Sequence, residues 1–242
     1  MFVLGFILYG STALLPMFLQ NLMGYSAMDS GLVISPGGII TMISMPIVGI
    51  LAAKFQAKWL LIVGSVFGAA GLFMSARFNL QVSFSDAVWA RSVMSAGLGF
   101  LFIPINTVAY YYIAKADTDN ASGLINLARN LGGSFGISLT ITLLSQRMQF
   151  HQSRLVEHIT ETTPAYQQYF ANIQAMLVGQ GTDIATATIK AKTLIYGFVQ
   201  QQAAMLAYID VFWVLGWMFL LMIPLVFLMK KTTPHKGPAV MH

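Results

Sequence analysis

No charged side chain occurs in this chain before Asp29, and the charges that follow are widely spaced. Lys54 and Lys58 come next, then Arg77, Asp86 and Arg91, then Lys115, Asp117 and Asp119. Arg129 follows, then a charge-bearing stretch from Arg147 to Lys192. Asp210 stands alone, and Lys230 and Lys231 close the apolar region. The runs between these marks have the length of about 20 residues that a helix needs to cross a bilayer core. Composition agrees. Only 9% of residues are charged, 57% are hydrophobic and the mean hydropathy is +0.70. A soluble fold, with about 25% charged residues on average, covers its surface with polar groups that this chain does not have.

Six spans are expected, at roughly 2–21, 31–53, 59–77, 87–113, 121–146 and 201–229. They are expected to be helices. An open sheet leaves backbone groups unpaired in lipid, and a β-barrel shows alternation where this chain shows continuous apolar runs. The fold class is therefore an all-α membrane protein with six transmembrane helices. Residues 1–146 hold spans one to five, 147–200 form a long segment between spans, 201–230 form the sixth span, and 231–242 form a basic tail. Lys54 and Lys58, Lys115, and Lys230, Lys231 and Lys236 fall on one side if the spans alternate. The positive-inside rule makes that side, and the C-terminus, cytoplasmic. Residues 147–200 are then periplasmic, and their Arg147, Arg154, Lys190 and Lys192 fall under the exemption for long loops. Within them, Asp183 is placed to cap a helix through Ile184, Ile189, Leu194 and Phe198 into the last span. Tyr166 to Phe170 and Ala175 to Val178 suggest another amphipathic helix, serving as a docking surface, a lid or a connector resting on the membrane.

Met1 runs directly into Phe2-Val3-Leu4-Gly5-Phe6 with no basic n-region, unlike a secretory signal. The expectation is a span entered without its preceding loop, as in a piece of a longer chain. With no cysteine, there is no disulfide framework, thiol nucleophile or Cys-ligated metal site. No Ser-His-Asp grouping falls within the spans, and neither an HExxH motif nor a phosphate loop occurs. An enzyme, a cofactor, a metal site and a nucleic-acid partner are accordingly not expected.

Gly64-Ser-Val-Phe-Gly68 and Gly132-Gly-Ser-Phe-Gly136 are GxxxG patterns, which let helix backbones approach closely in lipid; Gly97 and Gly99 do similar work. Pro16, Pro36, Pro46, Pro104 and Pro224 fall in or near spans and favour kinks, as moving transporters and static membrane proteins both use.

Three ionisable residues lie within or just inside spans: Arg91, Arg129 and Asp210. A charge in hydrocarbon costs about 2.5–3.5 kcal/mol on insertion scales, so each faces a bundle interior or a watery cavity, or snorkels to an interface. On span four, Arg91, Ser95, Leu98, Phe102, Asn106 and Ala109 recur at helical spacing. Arg91, Phe102 and Asn106 thus put a cation, a ring and an amide on one face. That face suits a lipophilic molecule with one polar group, or packing against another helix. On span five, Asn126, Arg129 and Asn130 lie together at the cytoplasmic end, placed to hydrogen-bond a neighbour in one state and release it in another. His151 and His158 are expected to be solvated.

The stretch Asn120-Ala-Ser-Gly-Leu-Ile-Asn-Leu-Ala-Arg-Asn-Leu-Gly-Gly-Ser-Phe-Gly-Ile137 resembles the EmrB/QacA branch of the major facilitator superfamily, proton-driven multidrug exporters usually of fourteen spans. Leu15-Pro-Met-Phe-Leu-Gln-Asn-Leu-Met-Gly-Tyr-Ser26, Gly31-Leu-Val-Ile-Ser-Pro36, and Arg91 with Gly97-Leu-Gly-Phe-Leu-Phe-Ile-Pro104 agree with the same branch. The resemblance covers the last six spans of the family and nearly all of the chain outside 147–200. It implies two inverted three-helix repeats, 2–77 and 87–229, with spans one and four lining the central cavity. It also implies an N-terminal transporter half that carries proton coupling, lipophilic drugs as substrates, and in EmrB-like members a periplasmic adaptor and an outer-membrane channel. One departure is visible. Members often carry a Gly-x-Leu-x-Asp-Arg-like turn; here it reads Gly49-Ile-Leu-Ala-Ala-Lys54, with Ala53 in place of the acid. The reading is the C-terminal half of a proton-coupled multidrug efflux transporter in the bacterial inner membrane, not competent alone. The alternative is a non-transporting membrane scaffold.

Overall fold

A computed structural model describes residues 1–111, 113–114, 117–160 and 162–227, apart from the side chain of residue 158. Within these residues every regular element is a helix. The elements are α1 (Phe2–Met17, continued by a π-helical turn Phe18–Leu22), α2 (Ala27–Lys54), α3 (Ala57–Ser75), α4 (Phe84–Tyr110), α5 (Thr118–His158), α6 (Pro164–Gly179) and α7 (Ile184–Phe227). Lys115, Lys230, Lys231 and Lys236, which carry most of the orientation argument, lie outside the described residues, as does the basic tail.

Five helices are long and apolar enough to cross a membrane: α1 with its π turn, α2, α3, α4 and α7. The fifth expected span lies in α5, which is long enough. Its polar residues, among them Asn126, Arg129 and Asn130, keep it from matching the other five in apolarity. Two helices overrun the expected spans. α5 continues to His158 and α7 begins at Ile184, and its 44 residues are about twice what a bilayer core accepts. Asp183 caps α7, its carboxylate accepting from the Thr186 amide at 2.9 Å.

The turns are built from local chemistry. Gly24 takes φ +70°, a conformation that costs glycine nothing, and reverses the chain after the π turn. Ser26 then caps α2: its hydroxyl accepts from the Asp29 amide at 3.1 Å and donates to the Asp29 carboxylate at 2.7 Å. Ser83 and Asp86 repeat the device at the start of α4, at 3.2 and 2.8 Å. Both acids thus sit in first helical turns, where the helix dipole favours a negative charge.

The chain divides into two compact units, residues 1–141 with 211–242, and residues 142–210. In the first, α4 packs on α2 and α3 through small residues. A Cβ on Gly97 would lie 2.6 Å from the Gly64 carbonyl oxygen, and one on Gly71 would lie 2.6 Å from the Met94 amide nitrogen. Backbone therefore meets backbone along the α3–α4 seam. The α1–α5 seam is closer still, since a Cβ on Gly5, Gly132 or Gly136 would overlap the carbonyls of Arg129, Phe2 and Phe6 respectively. Aromatic rings fill the space these glycines do not. Phe18, Phe78 and Phe212 form a buried trio with centroids 5.7–6.3 Å apart, and Phe73 packs at a tilt against Trp213 at 4.8 Å.

The second unit packs α6 on α7 around Ile173, Ala191 and Ile195, with Tyr166, Phe170 and Leu177 against them. Gln174 donates to the Thr188 hydroxyl at 2.7 Å, and Gln152 of α5 donates to the Tyr196 hydroxyl at 2.8 Å. His151 departs from the expectation of a solvated side chain. It is only 19% exposed and its Nε2 lies 2.8 Å from Oδ2 of Asp210. Asp210, expected either to face an interior or to snorkel, is held by this contact.

Candidate functional site

α4 begins with the Ser83 cap and runs 27 residues, so the 3.6-residue period brings Arg91, Ser95, Leu98, Phe102 and Asn106 to one face. The structure grades that face. Arg91, Ser95 and Leu98 are buried, whereas Phe102 and Asn106 are half-buried.

The buried end is made by a glycine. A Cβ on Gly37 of α2 would run into the Ser95 hydroxyl and lie 3.1 Å from Cγ of Arg91, so the absence of a side chain there lets both fit. Thr41, one turn along α2, donates to the Ser95 carbonyl at 3.1 Å or to its own Gly37 carbonyl at 3.0 Å. Nε and Nη1 of Arg91 are buried with no hydrogen-bond partner among the described residues, and so is Oγ of Ser95. A guanidinium with two unmet donors in an apolar interior is costly, because a buried polar group without a partner loses its hydration for nothing. At the half-open end, the Asn106 amide donates to the Phe102 carbonyl at 2.9 Å. Its side-chain oxygen is the atom a ligand's donor would meet.

The second group of candidates lies on α5. Nη2 of Arg129 donates to Oδ1 of Asn126 at 2.6 Å, and Asn126 in turn reaches the Ser122 hydroxyl at 3.4 Å. This chain of bonds stays on one helix. Nε of Arg129 is buried without a partner among the described residues, while Asn130 and Asn126 are exposed. The Arg129 backbone is the point where Gly5 of α1 touches α5, so its side chain springs from the tightest seam in the first unit. The two groups of candidates are not joined by any hydrogen bond between them among the described residues.

The sequence reading missed one feature of this kind, the His151–Asp210 contact. Its only local signal is the spacing of four between Arg147 and His151, which puts both on one face of α5. In the same unit a cavity of about 410 Å³, lined by Leu155, Ile159, Tyr166, Tyr169 and Phe198 among others, opens beside α6.

Comparison with known proteins gives the family. Residues 1–137 match the model of the Major Facilitator Superfamily. Multidrug export protein EmrB of Escherichia coli K12 is 27% identical over 229 residues, which is 94% of this chain and 43% of that protein. Fatty acid resistance protein FarB of Neisseria gonorrhoeae is 25% identical over 228 residues, again 94% of this chain and 43% of the relative. An uncharacterized MFS-type transporter of Bacillus subtilis, YhcA, is 28% identical over 199 residues, 82% of this chain and 37% of the relative. The chain thus spans roughly two fifths of the length of the curated relatives it matches. Two of these relatives are named for transport or export, and the family match points to a transporter rather than an enzyme. With five helices among the described residues long and apolar enough to cross a membrane, and a family match over more than half its length, this multi-pass membrane chain belongs to the major facilitator superfamily.

Proposed function

We propose that this chain is the C-terminal half of a proton-coupled multidrug efflux transporter and forms one wall of its substrate pathway. The observation that carries this reading is the graded face of α4. It runs from a buried cation with unmet donors to a half-open ring and amide. A helix that only packs gains nothing from a buried guanidinium, whereas a pathway wall uses one to hold an acceptor as it passes. Relatives named for multidrug export and fatty acid resistance, aligned over 94% of the chain, favour amphiphilic and lipophilic substrates. In this reading α5 supplies the fifth of six spans, the six spans form two inverted three-helix repeats, and α1 and α4 line the cavity. Asn126, Arg129 and Asn130 act as a conformational switch. The protein sits in the bacterial inner membrane, with residues 147–200 periplasmic and the C-terminus cytoplasmic. Its partners are the lipid bilayer, an N-terminal transporter half and, as in EmrB-like systems, a periplasmic adaptor and an outer-membrane channel.

The test is genetic. The reading frame upstream of Met1 is expected to encode six to eight further spans. The full product is expected to raise resistance to several lipophilic drugs in an efflux-deficient bacterial strain, while residues 1–242 alone do not. A full product that reaches the membrane yet changes resistance to no drug would make the chain a scaffold.

A further inference from the structure

The second unit contains an ionisable cluster that the pathway on α4 does not use. Nε2 of His151 and Nε of Arg147 both approach Oδ2 of Asp210, at 2.8 and 3.7 Å. The histidine and arginine come from successive turns of α5 and the carboxylate from α7, so the cluster joins two helices. Phe150 packs edge-on to the imidazole at 5.4 Å and lies under the guanidiniums of Arg147 and Arg154, at 5.9 and 5.5 Å. The other charged groups of α5 nearby are Arg154 and Glu157, which pair with each other at 3.8 Å. α6 carries only Tyr166 and Tyr169 as ionisable residues, and on α7 the ionisable residue next to Asp210 along the helix is Tyr208, with Tyr196 about 21 Å away at helical rise. Lys192 is 18 residues from Asp210 along α7, about 27 Å at helical rise.

The chemistry of the contact fixes the proton. An ionised carboxylate only accepts, so Nε2 carries the hydrogen and Nδ1 holds the lone pair. With the imidazole neutral, Arg147 and Asp210 cancel. A proton arriving at Nδ1 leaves the Nε2–H bond in place and makes its donor charged as well as its acceptor, which strengthens it. Histidine is the side chain whose charge changes between pH 5 and 8.

We propose that His151 and Asp210 form a proton-binding site, with the proton taken up at Nδ1 of His151 and the Asp210 carboxylate holding the resulting imidazolium. Uptake tightens the tie between α5 and α7, and release loosens it. The use of such a proton in a transport cycle rests on the efflux reading; the uptake itself is a property of this chain.

The test is a histidine titration on the chain in lipid nanodiscs, by hydrogen–deuterium exchange at the imidazole C2 position read by mass spectrometry across pH. The chain has four histidines, which peptides resolve, and His235 and His242 serve as internal references. In Asp210→Asn, which removes the carboxylate charge 2.8 Å from Nε2, the midpoint of His151 is expected to fall relative to the unmodified chain. In Arg147→Gln it is expected to rise, and this variant keeps the test decisive if Asp210→Asn does not fold. Coincident His151 midpoints in the unmodified chain and the folded variants would overturn the proposal. A lack of drug resistance in the full product would leave these midpoints untouched, so the two readings fail separately.

Discussion

Gly97 of α4 and Gly64 of α3 meet backbone to backbone: a Cβ on Gly97 would stand 2.6 Å from the Gly64 carbonyl oxygen and 2.7 Å from the Gly68 amide nitrogen. No side-chain rotation relieves such a contact, because the atoms met belong to the main chain. Gly97→Ala is therefore expected to force α3 and α4 apart, at the upper end of the about 1–3 kcal/mol typical of overpacking. Gly31 and Gly38 of α2 have nothing within 4 Å of where a Cβ would stand, so Gly31→Ala is expected to be neutral or mildly stabilising. Thermal unfolding in one detergent, followed by circular dichroism, compares them. Equal midpoints for the two variants would mean that the α3–α4 seam has room to adjust.

The cap on α7 gives a pH dependence. The Thr186 side chain, and after it the Thr186 amide, hold the Asp183 carboxyl below its ordinary value of 3.8. A depressed folded value means that the cap contributes fully above about pH 4 and is lost as pH falls through the lowered value. Amide exchange at Ile184 to Ala187 is expected to quicken below that point in the unmodified chain. In Asp183→Asn, which caps without titrating, exchange is expected to lack this added acid-linked rise. Parallel profiles for the two proteins would remove Asp183 from the control of this helix end.

Much of this architecture is legible in the sequence, and the misses have physical causes. Apolar runs between charges locate α1 to α4 because each of those helices ends near a charge or a turn. The same rule cuts α5 at Arg147, where the helix in fact runs on to His158; the start of α7 at Ile184 is located instead by the Asp183 cap, which the sequence does show. A charge ends a hydrocarbon span and does not end a helix. Asp29 and Asp86 look like loop charges by that rule, although Ser26-x-x-Asp29 and Ser83-x-x-Asp86 are readable helix starts. The His151–Asp210 contact joins residues 59 apart, and periodicity along one helix carries no information about its partner on another. The α4 face is legible in spacing, but which end of it is buried depends on Gly37 of α2.

Orientation is testable with thiols because the chain has no cysteine of its own. Single cysteines at Gln167 and His235 are expected to respond oppositely to a membrane-impermeant thiol reagent. In intact spheroplasts Gln167→Cys should label and His235→Cys should not. The reverse pattern would invert the topology.

Arg129 is expected to act through its hydrogen bonds. In the full transporter, Arg129→Ala should abolish resistance while membrane abundance stays near normal, since its loss removes the 2.6 Å bond to Asn126 without touching the Gly5 seam. Arg129→Lys should rescue only in part, because a point charge cannot reproduce the planar fork. Full activity of Arg129→Ala would mean that the side chain merely reaches for an interface.

Phe102 and Asn106 are the half-open end of the α4 face, one turn apart, with the Asn106 amide tied to the Phe102 carbonyl. Lipophilic drugs need apolar contact and few fixed polar partners. Phe102→Ala in the full transporter is therefore expected to change the drug profile unevenly, weakening export of some compounds several-fold more than others. Asn106→Ala is expected to act most on compounds that carry a hydrogen-bond donor, because the atom it removes from the pathway is an acceptor. The amide's bond to its own helix is worth only about 1 kcal/mol, so the variant should reach the membrane at near-normal level. Helix packing predicts something else: lower abundance and a uniform loss across all drugs. Resistance to several unrelated compounds, normalised to the amount of protein in the membrane, separates the two. A loss that is uniform and scales with abundance would place Phe102 and Asn106 in the packing of α4 and take them out of the substrate pathway.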